Sequence, residues 1–434
     1  MLSQSVFATS GKYSEELYIT DISVLKLIKN HPEFIVDHIS KEGFELYGPK
    51  GTKTWIEDLG INFSEVGSGH DHNKDVGFTD YPTYEEIENF LKKITSKYPN
   101  ISKLISIGKT VEGRDLWMVK ISDNVEVDEV EPEFKFISSM HGNEITGREL
   151  TQFLIKDLLE GHGVDKKITE LINNTEIYIM PSLNPDGSNR RQRANANGYD
   201  LNRNFPDWGR GDNNDLKNRQ PETKSLMNFQ ASRNFSLSAN FHGGAVVVNY
   251  PWDNTYDRHP LDELVKGLSL GYANLNPEMR NSRSFEGGIT NGADWYVLKG
   301  GMQDWSYFFY NDLQITIELS RNKWPRYSDI PSYYKDNKES MLAYVKSIHQ
   351  GAGFKLKKSK TSGRVSIVQK MEDGTTLNRG SYGFSNGEFF KVLPIGKYDF
   401  KVQLAGSVII QELNFDVDTD VNQNGNYKII SEGL

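Results

Sequence analysis

The 434-residue chain contains no cysteine. Disulfide frameworks, thiolate zinc ligands and thiol nucleophiles are all excluded at once. No stretch approaches the roughly eighteen apolar residues that a membrane-crossing helix needs. Basic charge is also short, with 50 Lys and Arg against 59 Asp and Glu, a net charge of −9. That balance argues against a nucleic-acid partner, which requires a basic face, and suits neutral or basic substrates better. The first residues, Met1 to Ala8, have neither the basic start nor the apolar core of a secretory leader. They leave the compartment open. Internal repeats and low-complexity segments are missing as well.

What remains is a globular composition, 37% hydrophobic, 12% aromatic and 25% charged, with enough length for two or three domains. Residues 17–66 alternate short apolar runs with helical patterns in the order β-α-β-β-α-β, which predicts a ferredoxin-like α+β unit over residues 1–66. Glycines 43, 48, 51 and 60 punctuate it. Residues 67–77 are polar and rich in glycine and histidine, and read as an exposed linker in which His70 and His72 are solvated. Residues 78–352 mix apolar runs with helical stretches, and predict an α/β domain on a mixed sheet. Residues 353–434 turn to short alternating strands without a helix, and predict a small β-sandwich.

The chemistry centres on Ser139-Met140-His141-Gly142-Asn143-Glu144, where the apolar run 134–137 meets a helical pattern over 146–159. A histidine and a glutamate three residues apart at a strand-to-helix junction can face one ion. A catalytic zinc takes three protein ligands and leaves a fourth position open. The expected third ligand is His242, where a strand ends at Gly243-Gly244, at the carboxyl edge of the sheet. Arg193 and Arg203 lie among small polar residues and suit two-pronged recognition of a carboxylate. Glu318 stands between Ile317 and Leu319, on the opposite face of a strand from them, and is the candidate general base.

Seven elements in order carry a resemblance: His141-x-x-Glu144, Asn184-Pro185-Asp186-Gly187, Asn195-Ala196-Asn197-Gly198, Asp200-Leu201-Asn202-Arg203-Asn204-Phe205, Phe241-His242-Gly243-Gly244, the glycine-rich run 288–305, and Thr316-Ile317-Glu318-Leu319. The chain resembles the funnelin zinc metallocarboxypeptidases, most closely the branch of carboxypeptidases N, E, M and D. Residues 383–398 resemble that branch's transthyretin-like β-sandwich. The resemblance implies one zinc ion per chain, held by His141, Glu144 and His242, with Asp200 orienting the first histidine. It makes Glu318 the base that activates water, Arg193 the residue that stabilises the oxyanion, and Asn202, Arg203 and Tyr296 the clamp on the substrate's terminal carboxylate. Arg190 and Arg191 are close enough in sequence to compete for the oxyanion role. Asp253, eleven residues beyond His242, and Gln303 match the specificity pocket, which implies release of C-terminal Arg or Lys from peptides or proteins.

The N-terminal unit is foreign to that branch and resembles the pro-segment of the digestive carboxypeptidases, implying a cap released by cleavage near residues 67–75. A permanent accessory domain is the alternative. The loop from Gly187 to Arg193 is short for the branch, which implies a more open funnel rim. Two other functions stay in view. One is a carboxypeptidase acting on cell-wall peptides that contain a diamino acid. The other is a non-catalytic peptide-binding relative, although every ligand and base position is filled here. The resemblance favours a secreted or periplasmic setting and leaves the oligomeric state open.

Overall fold

The structure is a computed structural model that describes residues 13–65, 81–357, 361–407, 410–418 and 426–430. The expected linker, with His70 and His72, lies outside the described residues. In the N-terminal unit, strands β1 (Glu15–Ile19), β2 (Ile35–Asp37), β3 (Phe44–Gly48) and β4 (Phe63–Glu65) form an antiparallel sheet in the order β2-β3-β1-β4. Helices Leu25–Ile28 and Thr52–Asp58 complete the β-α-β-β-α-β order. Leu17, Ile19, Val24, Ile28, Phe44, Leu46 and Ile56 close a small core of their own.

The middle of the chain is built on an eight-stranded mixed sheet. Its strands are β5 (Ser102–Lys109), β6 (Asp115–Ile121), β7 (Glu133–Ser138), β8 (Glu176–Met180), β9 (Phe235–His242), β10 (Val246–Tyr250), β11 (Ile289–Asn291) and β12 (Leu313–Leu319), in the order β11-β10-β12-β9-β7-β8-β6-β5. The central strands β8, β7, β9 and β12 run parallel to their neighbours in that group and are buried along their whole length. Both faces of these strands are covered, so β8 reads as a near-continuous apolar run, while β9 and β12 bury their polar residues along with the apolar ones that alternate with them. One cover is Tyr84–Lys97, started by a capping box. Thr83 accepts from the Glu86 N–H at 3.2 Å, and Glu86 accepts from the Thr83 N–H at 2.8 Å. The helix then buries Ile87, Leu91 and Ile94 against the sheet.

After helix Ile330–Lys346 the chain becomes all-β. Among the described residues seven strands follow: β13 (Gly351–Leu356), β14 (Gly363–Lys370), β15 (Thr376–Phe384), β16 (Glu388–Val392), β17 (Gly396–Leu404), β18 (Ile410–Val417) and β19 (Tyr427–Ile430). They form a three-stranded sheet, β16-β13-β19, and a four-stranded sheet, β15-β14-β17-β18. Phe354, Phe389, Val365, Ile367, Phe400 and Phe415 fill the core between them. In β15 most residues are exposed or half-buried, so it carries little apolar alternation.

Candidate active site and metal centre

Strands β7, β9 and β12 end at the same edge of the sheet, and their last residues carry the candidate chemistry. β12 pairs with β9 in parallel register so that Glu318 lies opposite His242. Beyond β7 the chain turns through Ser139, whose φ of 46° is rare for a residue with a side chain. The Ser139 hydroxyl donates to the Glu144 carbonyl at 3.0 Å and closes the turn. Gly142 then meets the backbone of Gly187 and Ser188 so closely that a Cβ would lie 2.1 Å from the Gly187 carbonyl carbon. Only glycine fits, and the contact locks the His141 loop to the loop that leads to Arg193.

Three donor atoms converge. His141 Nδ1 is 3.0 Å and His242 Nδ1 2.8 Å from Glu144 Oε2, and the two Nδ1 atoms are 3.0 Å apart. All three side chains are buried. His141 Nε2 lies 2.9 Å from Asp200 Oδ1. A carboxylate there accepts the Nε2 proton, which leaves the Nδ1 lone pair facing the other two donors. Two imidazoles and one carboxylate aimed at one point are a zinc-type donor set with room for a fourth ligand. The residues present therefore fit the ion.

Arg193 is the fully buried arginine of its loop, at 1% exposure. Its Nε donates to Asp200 Oδ2 at 3.0 Å and its Nη1 to Glu144 Oε1 at 3.2 Å. Arg190 instead pairs with Glu112 near the surface, and Arg191 lies over the Trp324 ring. Burial alone would raise the Asp200 carboxyl, but Arg193 and His141 hold it well below the usual carboxylate range. Asp200 also accepts from the Asn202 N–H at 2.8 Å, which sets Asn202 and Arg203 one turn away from the donor cluster. Asp253 and Gln303 meet deeper in the core, where Gln303 Nε2 donates to Asp253 Oδ1 at 3.0 Å. Burial pushes the Asp253 carboxyl up to about 7, against the hydrogen bond from Asn249.

No local pattern announces the residues that the N-terminal unit brings to this place. Asp37 Oδ2 lies 2.5 Å from Arg193 Nη1, and the Tyr296 hydroxyl donates to the other Asp37 oxygen. His38 Nε2 lies 3.8 Å from Glu318 Oε1, while its Nδ1 is 3.1 Å from Glu45 Oε2. Lys323, five residues beyond Glu318, reaches Glu45 at 2.8 Å and Glu144 Oε1 at 3.5 Å. Lys323 follows a strand already expected to end at the site, so its position on that edge was within reach of sequence reading. Asp37, His38 and Glu45 belong to another unit, and only the docking of the two units brings them here.

The zinc carboxypeptidase family model matches residues 87–340. Carboxypeptidase D of Homo sapiens is 39% identical over 349 residues, covering 74% of this chain and 25% of that protein. Carboxypeptidase M of Mus musculus is 38% identical over 351 residues, covering 75% of this chain and 78% of that protein. The chain thus spans about a quarter of carboxypeptidase D and most of carboxypeptidase M. Among solved structures, carboxypeptidase A of Helicoverpa armigera shares the fold with a TM-score of 0.61 at 19% identity, covering 78% of this chain and 97% of that one. With the donor set, the register of Glu318 and these likenesses together, the chain belongs to the zinc carboxypeptidase family.

Proposed function

We propose that this chain is a zinc metallocarboxypeptidase that removes single C-terminal Arg or Lys residues from peptides or proteins. The observation that carries the reading is the convergence of His141 Nδ1, Glu144 Oε2 and His242 Nδ1 within 3.0 Å of one another, beside Glu318 on the neighbouring strand. Those three residues would hold one zinc ion, which when bound would supply a lowered pKa for water and polarisation of the scissile carbonyl. Glu318 takes the proton of the attacking water and delivers it to the leaving amine. Arg193, fixed by Asp200, donates to the oxyanion as it develops. Asn202, Arg203 and Tyr296 hold the substrate's terminal carboxylate, and Asp253 with Gln303 receives the cationic side chain. That a carboxylate suits Tyr296 of the clamp is supported by Asp37, which already accepts from its hydroxyl.

We further propose that the N-terminal unit, ferredoxin-like in its strand order, is a cap on this site. Asp37 stands between Tyr296 of the clamp and Arg193, and His38 stands against the base. Cleavage within residues 67–75 frees the funnel. The two C-terminal sheets are read as a transthyretin-like sandwich.

The test is hydrolysis of short peptides that differ only in a terminal Arg, Lys, Phe or Glu, by intact and linker-cleaved protein, with and without a zinc chelator. The reading expects chelator-sensitive release of Arg and Lys, faster after cleavage. Preference for Phe or Glu would discard the pocket assignment, and no hydrolysis at all would favour cell-wall peptides or a binder. Equal rates before and after cleavage would make the N-terminal unit an accessory domain.

A further inference from the structure

Beneath Asp253 lies a second buried carboxylate, Asp304, which the chemistry above does not use. Asp304 is the third residue of helix Met302–Tyr310 and is 3% exposed. Its oxygens accept the Asp253 N–H at 3.0 and 2.9 Å, and Oδ2 also accepts the Asn254 N–H at 2.9 Å. A second tie comes from Asp207, which accepts from Asn254 Nδ2 at 3.2 Å and from the Gly300 N–H at 2.8 Å. The segment carrying Asp253 is therefore held by its backbone and not by apolar packing alone.

We propose that Asp304 is a positioning residue of the specificity pocket, fixing the Asp253 backbone so that the Asp253 carboxylate faces the cationic side chain of the substrate. The proposal rests on the reading of Asp253 as the pocket acid. The room around Asp253 explains the need for such a brace. A Cβ on Gly292 would lie 1.8 Å from Asp253 Oδ1, and Asn249 Nδ2 and Gln303 Nε2 approach the same oxygen at 3.1 and 3.0 Å. A backbone shift of about one ångström puts that carboxylate into Gly292 or pulls it off its two donors, because interiors have no spare volume. Placing an acid directly below another costs charge repulsion. Burial and then Asp253 push the Asp304 carboxyl well above its ordinary range. A neutral acceptor such as serine or asparagine would spare that cost, but would keep only one of the two oxygens that receive the Asp253 N–H.

The test compares full-length protein nicked within residues 67–75 as wild type, Asp304→Ala, Asp304→Glu and Asp253→Ala, on peptides ending in Arg or in Leu. Asp304→Ala removes both acceptors, and Asp304→Glu keeps the carboxyl but moves it by one methylene. The expected result for both is a KM for the Arg peptide raised about tenfold or more. Their kcat, zinc content and KM for the Leu peptide stay close to wild type. If Asp304→Ala does not fold, Asp304→Glu alone decides. An unchanged ratio of Arg to Leu KM values in the folded variants, or equal losses on both peptides, would overturn the proposal. Selectivity that survives Asp253→Ala would instead overturn the pocket reading beneath it.

Discussion

Asp37 of the N-terminal unit meets Arg193 of the core through Oδ2 and Nη1 at 2.5 Å, with both side chains at most 2% exposed. A buried charge pair of this kind is costly to break from one side, about 3–5 kcal/mol, because the other charge stays behind unpaired. Substituting Asp37→Ala should therefore weaken docking of the N-terminal unit strongly. Measured before any cleavage, the variant should hydrolyse an Arg-terminated peptide on the order of a hundredfold faster than intact wild type. After cleavage the two should match.

The same contact carries a pH dependence. Burial opposes the charge on His38, but Asp37 beside it pushes the imidazole up to about 10. A raised folded value means that the contribution of His38 is complete below the ordinary imidazole value of about 6.5 and is lost as pH rises through 10. For Asp37, Arg193 and His38 outweigh burial and hold the carboxyl far below its ordinary value. Its contribution is complete above about 4 and is lost as pH falls below that. In linker-nicked protein the fraction of N-terminal fragment still associated should be highest between about pH 4 and 6.5 and fall progressively towards pH 10. Size-exclusion chromatography across that range checks the sign.

At the pocket the expected trend runs the other way. With burial raising Asp253 to about 7, its carboxyl is largely protonated in mildly acidic solution. A cationic side chain needs the ionised form. KM for Arg-terminated peptides should fall up to about tenfold per unit as pH approaches 7 and level off above it. KM for Leu-terminated peptides should not follow. Steady-state kinetics on the paired peptides between pH 5 and 8.5 would show the difference.

A core pair offers a stability test far from the catalytic groups. Lys135 on β7 pairs with Asp312, both fully buried, and Ser238 donates to Asp312 at 2.8 Å. Replacing Lys135→Met alone should destabilise the core by about 3–5 kcal/mol in urea unfolding. Adding Asp312→Leu should recover much of that loss, since no buried charge then lacks a partner.

Much of the candidate site was legible because its residues follow strand ends that the sequence marks with apolar runs. His141, His242 and Glu318 each close such a run, and a parallel sheet gathers strand ends at one edge. Asp253 and Gln303 were reached through the resemblance, and their contact at 3.0 Å agrees with a shared place in the core. Asp304 escaped because its partners are backbone N–H groups, which no side-chain pattern announces. Asp37 and His38 escaped for a different reason. They sit at the end of a three-residue strand whose local sequence says nothing of the surface it docks on. Strand β15 is mostly exposed or half-buried, which removes the alternation that marks a strand.

The most direct test of the account is the rate at which linker-nicked Glu318→Gln releases C-terminal Arg, compared with nicked wild type at equal zinc content. Glu318 lies opposite His242 in the sheet, and the isosteric amide leaves the His141, Glu144 and His242 donor set in place. The account predicts one zinc ion in both proteins and a fall in kcat of roughly a hundred- to ten-thousand-fold in the variant. A variant that keeps its zinc and turns over at the wild-type rate would contradict the assignment of Glu318 as the base.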